Sequence, residues 1–402
     1  MKTNNNKFGV IWFFLKDNLG IYGGIFVITL GYAVLESVNI SVFFPVFRSI
    51  LKQESSPGGI FLYLDRVIGL LPFKDQFVSA CVLVIAVLVL KEVLAFGRTA
   101  MIGYGVGKVV CDVRERVFQK YVEADYNFFL QNKQGDLLYK TLTAPGRLGA
   151  CLQYIPDLVT AILMTITIGF LLTSISVPVT ISILAAALCF NLLTRYLARK
   201  VSYNIGYERA EVSARATVIL NEFIDGVKQI KTSSSVDRWN DKFKEQVRRF
   251  KTLVIEDIIW LAIPERLFQM LPAVMIIGVL LFFYAYFGET SKDSLVTNLP
   301  LIAVYAFGFY RLVPYITSFG RLRMQIMGLL PDIEMIYELL TSRVERSDPG
   351  KHVLRGFDRA IHFERVNFNY MKGHDVLKNI SFSIGKGSSV AIVGPSGSGK
   401  TT

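Results

Sequence analysis

Long apolar runs alternate along this chain with stretches in which charges recur at helical spacing. Six of the runs, at about residues 19–44, 77–97, 155–175, 179–196, 260–287 and 299–320, are read as helices able to cross a hydrocarbon layer of roughly 30 Å. The second does not stop at the membrane surface. Val110, Val113, Val117 and Tyr121 recur at spacings of three and four, with Asp112, Arg114, Glu115, Arg116 and Lys120 between them, as on an amphipathic helix in water. A helix from 77 to 121, at roughly 1.5 Å per residue, is about 65 Å long and is predicted to overshoot into the cytosol. Residues 125–129 read as a polar-aromatic turn, after which the helical pattern resumes at 135–138 and the chain doubles back. The short neutral turn at 176–178 belongs outside, by contrast with the basic stretch 195–251. That stretch is broken once, at 232–235, by a second cytosolic reversal. It reads as a solvated helical extension with i,i+4 pairs in preference to a separate basic binding surface. A polar loop is expected at 288–298. Residues 55–59 break the chain after the first span, and 60–71, too short to cross, are predicted to lie in the interface. The first run is too long for a secretory signal and lacks a small-residue cleavage site.

Composition supports a membrane location. The 402 residues are 52% hydrophobic with a mean hydropathy of +0.42, yet carry a net charge of +12. A soluble enzyme of this size is rarely so apolar, whereas a multi-span protein with basic cytosolic segments combines both properties. Because the basic residues flank apolar runs, the charge calls for no nucleic acid. The cysteines at 81, 111, 151 and 189 show no CxxC spacing and read as small hydrophobes; the histidines at 352, 362 and 374 have no ligand spacing and give no metal site. Residues 1–340 are thus a membrane domain and 341–358 a polar linker. Residues 359–402 open a separate, soluble α/β domain.

In that last segment, 361–368 and 380–384 alternate as half-buried strands. The apolar run 389–393 suits a buried strand leading into Gly394-Pro395-Ser396-Gly397-Ser398-Gly399-Lys400-Thr401-Thr402, a Walker A loop. Glycines let backbone N–H groups curl around phosphate oxygens, Lys400 reaches the β/γ-phosphates, and Thr401 offers its hydroxyl to Mg²⁺. A flexible Gly/Ser linker would not carry Lys-Thr in register behind a strand. Tyr370 is the aromatic placed to lie over a base; the competing reading is an exposed tyrosine at a strand end.

About six spans with long helical extensions, then Val366-Asn367-Phe368-Asn369-Tyr370, Val376-Leu377-Lys378-Asn379-Ile380-Ser381-Phe382 and the Walker A loop, resemble an ATP-binding-cassette (ABC) exporter over the whole chain. The fold class this implies is a mostly α membrane protein: a six-helix exporter domain with long cytosolic extensions, followed by the start of a P-loop nucleotide-binding domain. The resemblance implies ATP and Mg²⁺ as ligands, held by Tyr370, Gly394, Ser396, Gly397, Ser398, Gly399, Lys400, Thr401 and Thr402, with Thr401 on the metal. It also implies coupling helices near 125–129 and 233–239, a multi-pass place in the cytoplasmic membrane with the nucleotide-binding domain in the cytosol, and a partner that is a second copy or a related half-transporter. The family's Walker B acid, signature motif and switch histidine are absent from these 402 residues, so this stretch alone is not expected to hydrolyse ATP. An ATP-gated channel on the same fold, or a membrane-anchored kinase with an unrelated P-loop, are the other classes weighed.

For the substrate, cations at membrane depth are the guide. Arg98, Arg266 and Arg311 are the candidate contacts, beside Lys91; the competing reading has Arg98 and Arg266 reaching the inner interface and Arg311 pairing with Glu36. The interfacial stretch 60–71 resembles the external helix of lipid-linked oligosaccharide flippases, whose cavities hold a lipid pyrophosphate with arginines. The resemblance therefore implies export or flipping of an amphipathic, anionic lipid-linked substrate, with drug, lipid or peptide export as the alternative.

Overall fold

Several of the apolar runs become helices far longer than the runs themselves. A computed structural model describes residues 7–51, 66, 76–173, 177–270, 273, 277, 292–343, 356–371 and 374–402. Helix α1 (Lys7–Leu15) leads through a 3-10 turn into α2 (Leu19–Leu51), and α3 (Gln76–Glu123) then runs unbroken for 48 residues. Short helices α4 (Tyr126–Gln131) and α5 (Gln134–Leu138) follow, then α6 (Ala144–Thr173), α7 (Val177–Leu197), α8 (Tyr203–Asp225), α9 (Val227–Thr232), α10 (Val236–Gln269) and the 50-residue α11 (Lys292–Thr341). Among the described residues three helical segments, Gly9–Glu36, Phe77–Glu123 and Gln134–Phe170, are long and apolar enough to cross a membrane. The interfacial stretch 60–71, apart from Arg66, and most of the fifth span beyond Met270 lie outside the described residues.

Two local expectations are corrected. The turn expected at 125–129 is largely helical: Asp125 is extended, and Tyr126–Gln131 holds no Gly or Pro to stop a helix starting behind it. The polar loop expected through 298 gives way to helix from Lys292.

The chain divides into two units, Met1–Gln119 with Gln134–Ser342, and Lys120–Lys133 with Arg343–Thr402. In the first, α11 packs along α6, and α2, α7 and α10 close the core around Met164, Ile168, Leu172, Leu312 and Ile316. Phe190 of α7 meets Phe268 of α10 with ring centroids 4.3 Å apart. A second cluster, Ile205, Val212 and Leu253, joins α8 to α10 beyond the apolar stretches. Two helices contain π turns, Tyr139–Thr143 and Ala198–Ser202, closed by bonds from the Ala144 and Tyr203 N–H groups to the carbonyls of Tyr139 and Ala198. Each inserts a residue into its helix and so changes the direction in which the following side chains point.

Helices α8 and α11 approach closely at Gly206. A Cβ there would lie 2.1 Å from the Gly328 carbonyl oxygen, a backbone atom with little freedom to move. Overpacking typically costs about 1–3 kcal/mol. Gly206→Ala is therefore expected to lower the melting temperature of the purified protein clearly, whereas Gly97→Ala, with nothing within 4 Å, should leave it unchanged or raise it. Equal melting of the two variants would contradict this helix contact.

In the second unit, strands β1 (Ala360–Met371) and β2 (His374–Gly385) form an antiparallel hairpin in which Phe363 stacks on Phe382 at 4.4 Å. Pairing shifts between Phe363 and Val366. There Arg365 and Asn379 adopt φ of +46° and +52°, and their N–H groups donate to Ser381 Oγ and Asn367 Oδ1, both at 2.8 Å, so side chains satisfy what the ladder leaves. The strand expected at 389–393 is not formed. Val390, Ile392 and Val393 are exposed, because the sheet among the described residues has only β1 and β2, and a buried strand needs neighbours along its edges.

Candidate functional site

Charge at membrane depth is arranged as a ladder. Thr29 and Glu36 on α2 are seven residues apart, as are Lys91 and Arg98 on α3, so each pair lies on one helix face two turns apart. The chain runs in opposite senses through the two helices, and the rungs meet. Lys91 Nζ lies 3.1 Å from Glu36 Oε2 and 3.2 Å from Glu92 Oε1, with the Lys91 and Glu36 side chains buried. One rung along, Arg98 Nε donates to Thr29 Oγ1 at 3.2 Å and its Nη2 to Asp157 Oδ1 of α6 at 2.6 Å. Paired ions of this kind lower the cost of burying charge in lipid and tie three helices together.

Of the cations named from the sequence, Lys91 and Arg98 have acid partners of their own. Glu36 pairs with Lys91, because the heptad register of α2 and α3 brings the lysine to it. Arg98 is engaged by Asp157 and Thr29. Arg266 is exposed on α10, its Nη1 donating to Gln269 Oε1 at 3.3 Å. The side chain of Arg311 lies outside the described set, and nothing described brings the three arginines together. Asp157 was missed from sequence, although an acid inside an apolar run was the available signal.

Beyond the apolar stretches, a buried polar hub joins α8, α10 and α11 to the π turn after α5. Tyr139 OH donates to Asp332 Oδ1 at 2.6 Å; Arg209 donates through Nη1 to Asp257 Oδ2 at 2.8 Å and through Nη2 to the Gly328 carbonyl at 3.1 Å. Burial pushes the Asp332 carboxyl above its ordinary range, against the opposing pull of the Tyr139 bond and of Arg147 and Arg209. With its folded pKa raised, Asp332 binds more protons folded than unfolded. Its stabilisation is therefore full below about pH 4 and is lost as pH rises through the folded value. Asp332→Asn keeps an acceptor for Tyr139 and removes this dependence. Its melting temperature, relative to wild type, is expected to be higher at pH 7.5 than at pH 4.5, and an identical difference at both would contradict the buried carboxylate.

In the second unit the glycine-rich loop is tightly curled. Gly397 and Gly399 both have φ of +83°, a conformation that L side chains rarely adopt, and a Cβ on Gly399 would also press on Leu377 at 3.1 Å. Ser398 N–H donates to the Pro395 carbonyl at 3.2 Å. Lys400 Nζ folds over the loop onto the carbonyls of Gly394 and Pro395 at 2.7 and 2.6 Å. Positive-φ glycines with a lysine over them fit a triphosphate, since such turns aim backbone N–H groups into a concavity. The Tyr370 side chain lies outside the described residues.

The membrane helices decide the family. The family model for the ABC transporter transmembrane region matches residues 21–309, from α2 into α11. The chain belongs to that family. This ABC membrane region resembles those of lipid flippases: the ATP-dependent lipid A-core flippase of Shewanella denitrificans is 24% identical over 336 residues, covering 82% of this chain and 54% of that protein. The flippase of that name from Escherichia coli is 23% identical over 326 residues, 79% of this chain and 54% of its own length. ATP-binding cassette sub-family B member 6 of Mus musculus is 40% identical over 85 residues, 21% of this chain and 10% of that protein. The chain thus spans about half the length of the flippases it matches. Within the ABC region, the first expected coupling position holds α4, with Tyr126, Phe129 and Leu130 exposed. The second holds a turn at 233–235, where Ser234 has φ of +53°, and the start of α10.

Proposed function

We propose that the full-length protein is an ATP-driven exporter that flips a saccharide-bearing, anionic amphipathic lipid across the cytoplasmic membrane, working as a pair of such chains. The observation that carries this reading is the similarity to lipid A-core flippases along 82% of the chain. A lipid-linked oligosaccharide and a lipid A-type glycolipid share the required chemistry, a sugar-phosphate head on a long apolar tail. Arg311 is the proposed head-group contact, with Arg266 at the membrane edge; Arg98 contributes through the part of its guanidinium not held by Asp157 and Thr29.

In this reading ATP binds the loop Gly394, Ser396, Gly397, Ser398, Gly399, Lys400, Thr401 and Thr402, with Tyr370 on the base and Thr401 on Mg²⁺. The N-terminus, both helical reversals and the nucleotide-binding domain face the cytosol, as the basic extensions favour. Helix α4 presents its exposed aromatic face to that domain.

Lipid-stimulated ATP hydrolysis by the purified full-length protein separates the substrates. Turnover is expected to rise with a lipid A-type glycolipid or a polyprenyl-pyrophosphate glycan, and the rise should fall about tenfold or more in Arg311→Ala, which removes a charge-assisted phosphate contact. Stimulation by neither lipid would remove the substrate class, and unchanged stimulation in the variant would remove Arg311 from it.

A further inference from the structure

Positive charge without a carboxylate partner gathers where α7 leaves its apolar stretch. Lys91, Arg98 and Arg209 each have an acid within ion-pair distance. Among the described residues Arg195, Arg199 and Lys200 have none. These three, with Leu192, Tyr196 and Asn204, line an open groove of about 490 Å³. Lys200 Nζ donates to Tyr196 OH at 2.9 Å, which holds the ring along the wall. The π turn Ala198–Ser202 lies directly beneath and sets the direction of Arg199 and Lys200. Arg323 of α11 reports the unbalanced charge: burial, and then repulsion by Arg195 and Arg199, hold its guanidinium below its ordinary range, while its Nη1 donates to Asn191 Oδ1 at 2.6 Å.

The same helix face continues into the membrane as an apolar strip. Positions 188, 192, 195 and 199 follow at spacings of four, three and four, so two exposed leucines, Leu188 at 60% and Leu192 at 57%, lead straight to the two arginines. An apolar track ending in paired guanidinium groups at a membrane boundary has the shape and charge of one occupant. We propose that this groove seats the phosphate of an anionic phospholipid, held by Arg195 and Arg199, with an acyl chain along Leu188 and Leu192. The planar guanidinium fork suits phosphate oxygens, and basic pockets between membrane helices recognise anionic head groups in this manner. The phospholipid is a bound component of the membrane face, distinct from whatever is transported.

Native mass spectrometry of the full-length protein in detergent, without ATP, tests the seat with phosphatidylglycerol, phosphatidylcholine and inorganic phosphate as probes. Phosphatidylglycerol is expected to bind more tightly than phosphatidylcholine, and the Arg195→Gln/Arg199→Gln pair should weaken it about thirtyfold while leaving phosphatidylcholine unchanged. Lys244→Gln/Arg248→Gln on α10 should have no effect. Asn204→Asp adds a carboxylate at an exposed groove position and should weaken phosphatidylglycerol without touching the arginines, which keeps the test open if the paired variant does not fold. Equal affinity for the two lipids, or retention of phosphatidylglycerol by both groove variants, would overturn the seat. Displacement of the lipid by micromolar inorganic phosphate would overturn its lipid nature. Binding is read without turnover, so its failure leaves the transport reading standing, and failure of transport leaves the seat standing.

Discussion

Replacing Lys400 with alanine in the full-length protein is expected to lower ATP turnover by about a hundredfold or more while the protein folds and inserts normally. The side chain is exposed and holds no core contact, its Nζ resting on the Gly394 and Pro395 carbonyls. Folding has little at stake there. Turnover has much, because phosphoryl transfer is catalysed chiefly by positioned positive charge against the transferring group. The loop's curl is set by Gly397 and Gly399 at φ of +83°, not by the lysine, so nucleotide binding should fall less than turnover. Tyr370→Ala should do the reverse, losing a base stack of roughly 1–3 kcal/mol and raising the ATP concentration needed without lowering the maximal rate. Steady-state hydrolysis across ATP concentrations separates the two. Wild-type turnover in the Lys400 variant would exclude this loop as the triphosphate site.

The second large effect concerns the buried rung of the ladder. Lys91→Met leaves the Glu36 carboxylate, only 1% exposed, without the ammonium 3.1 Å away, and removing one partner of a buried pair typically costs about 3–5 kcal/mol. Glu36→Gln in the same chain removes the carboxylate charge as well. The double variant is expected to recover most of the loss, since replacing both ions by groups of similar shape is often near neutral. A double-mutant cycle on detergent-solubilised protein, read by thermal melting, should therefore be strongly non-additive. Additive losses, or a single variant as stable as wild type, would show that the two side chains do not act as a pair.

Much of this architecture could be read from local pattern. The continuation of α3 past the membrane followed from valines at 110, 113 and 117 among charges, a signal carried by one helix alone. The Lys91 and Glu36 rung is not legible from either residue alone. What was missing was the register between α2 and α3, which depends on how two helices pack and leaves no mark at any single position. Seven-residue spacing on both helices was the clue available. The turn expected at 125–129 failed for a related reason: polar and aromatic residues occur in loops and short helices alike, and Tyr126–Gln131 contains nothing that stops a helix. The strand at 389–393 was legible as composition, but a strand needs hydrogen-bonding neighbours, and the two-stranded hairpin does not supply them. The groove at Arg195 was hidden inside the basic stretch 195–251. Its charges look like a solvated face, as Arg249 with Glu208 and Arg215 with Glu211 are, and only the shared groove sets Arg195, Arg199 and Lys200 apart.

ATP-driven movement of a lipid across a membrane tests the central claim most directly. The full-length protein, reconstituted in proteoliposomes with a fluorescent lipid A-type glycolipid, is expected to make the label inaccessible to a membrane-impermeant quencher in a manner that requires ATP and Mg²⁺ and is lost in Lys400→Ala. Label that stays as accessible as in protein-free liposomes, with a polyprenyl-pyrophosphate glycan giving the same result, would contradict a lipid-flipping exporter.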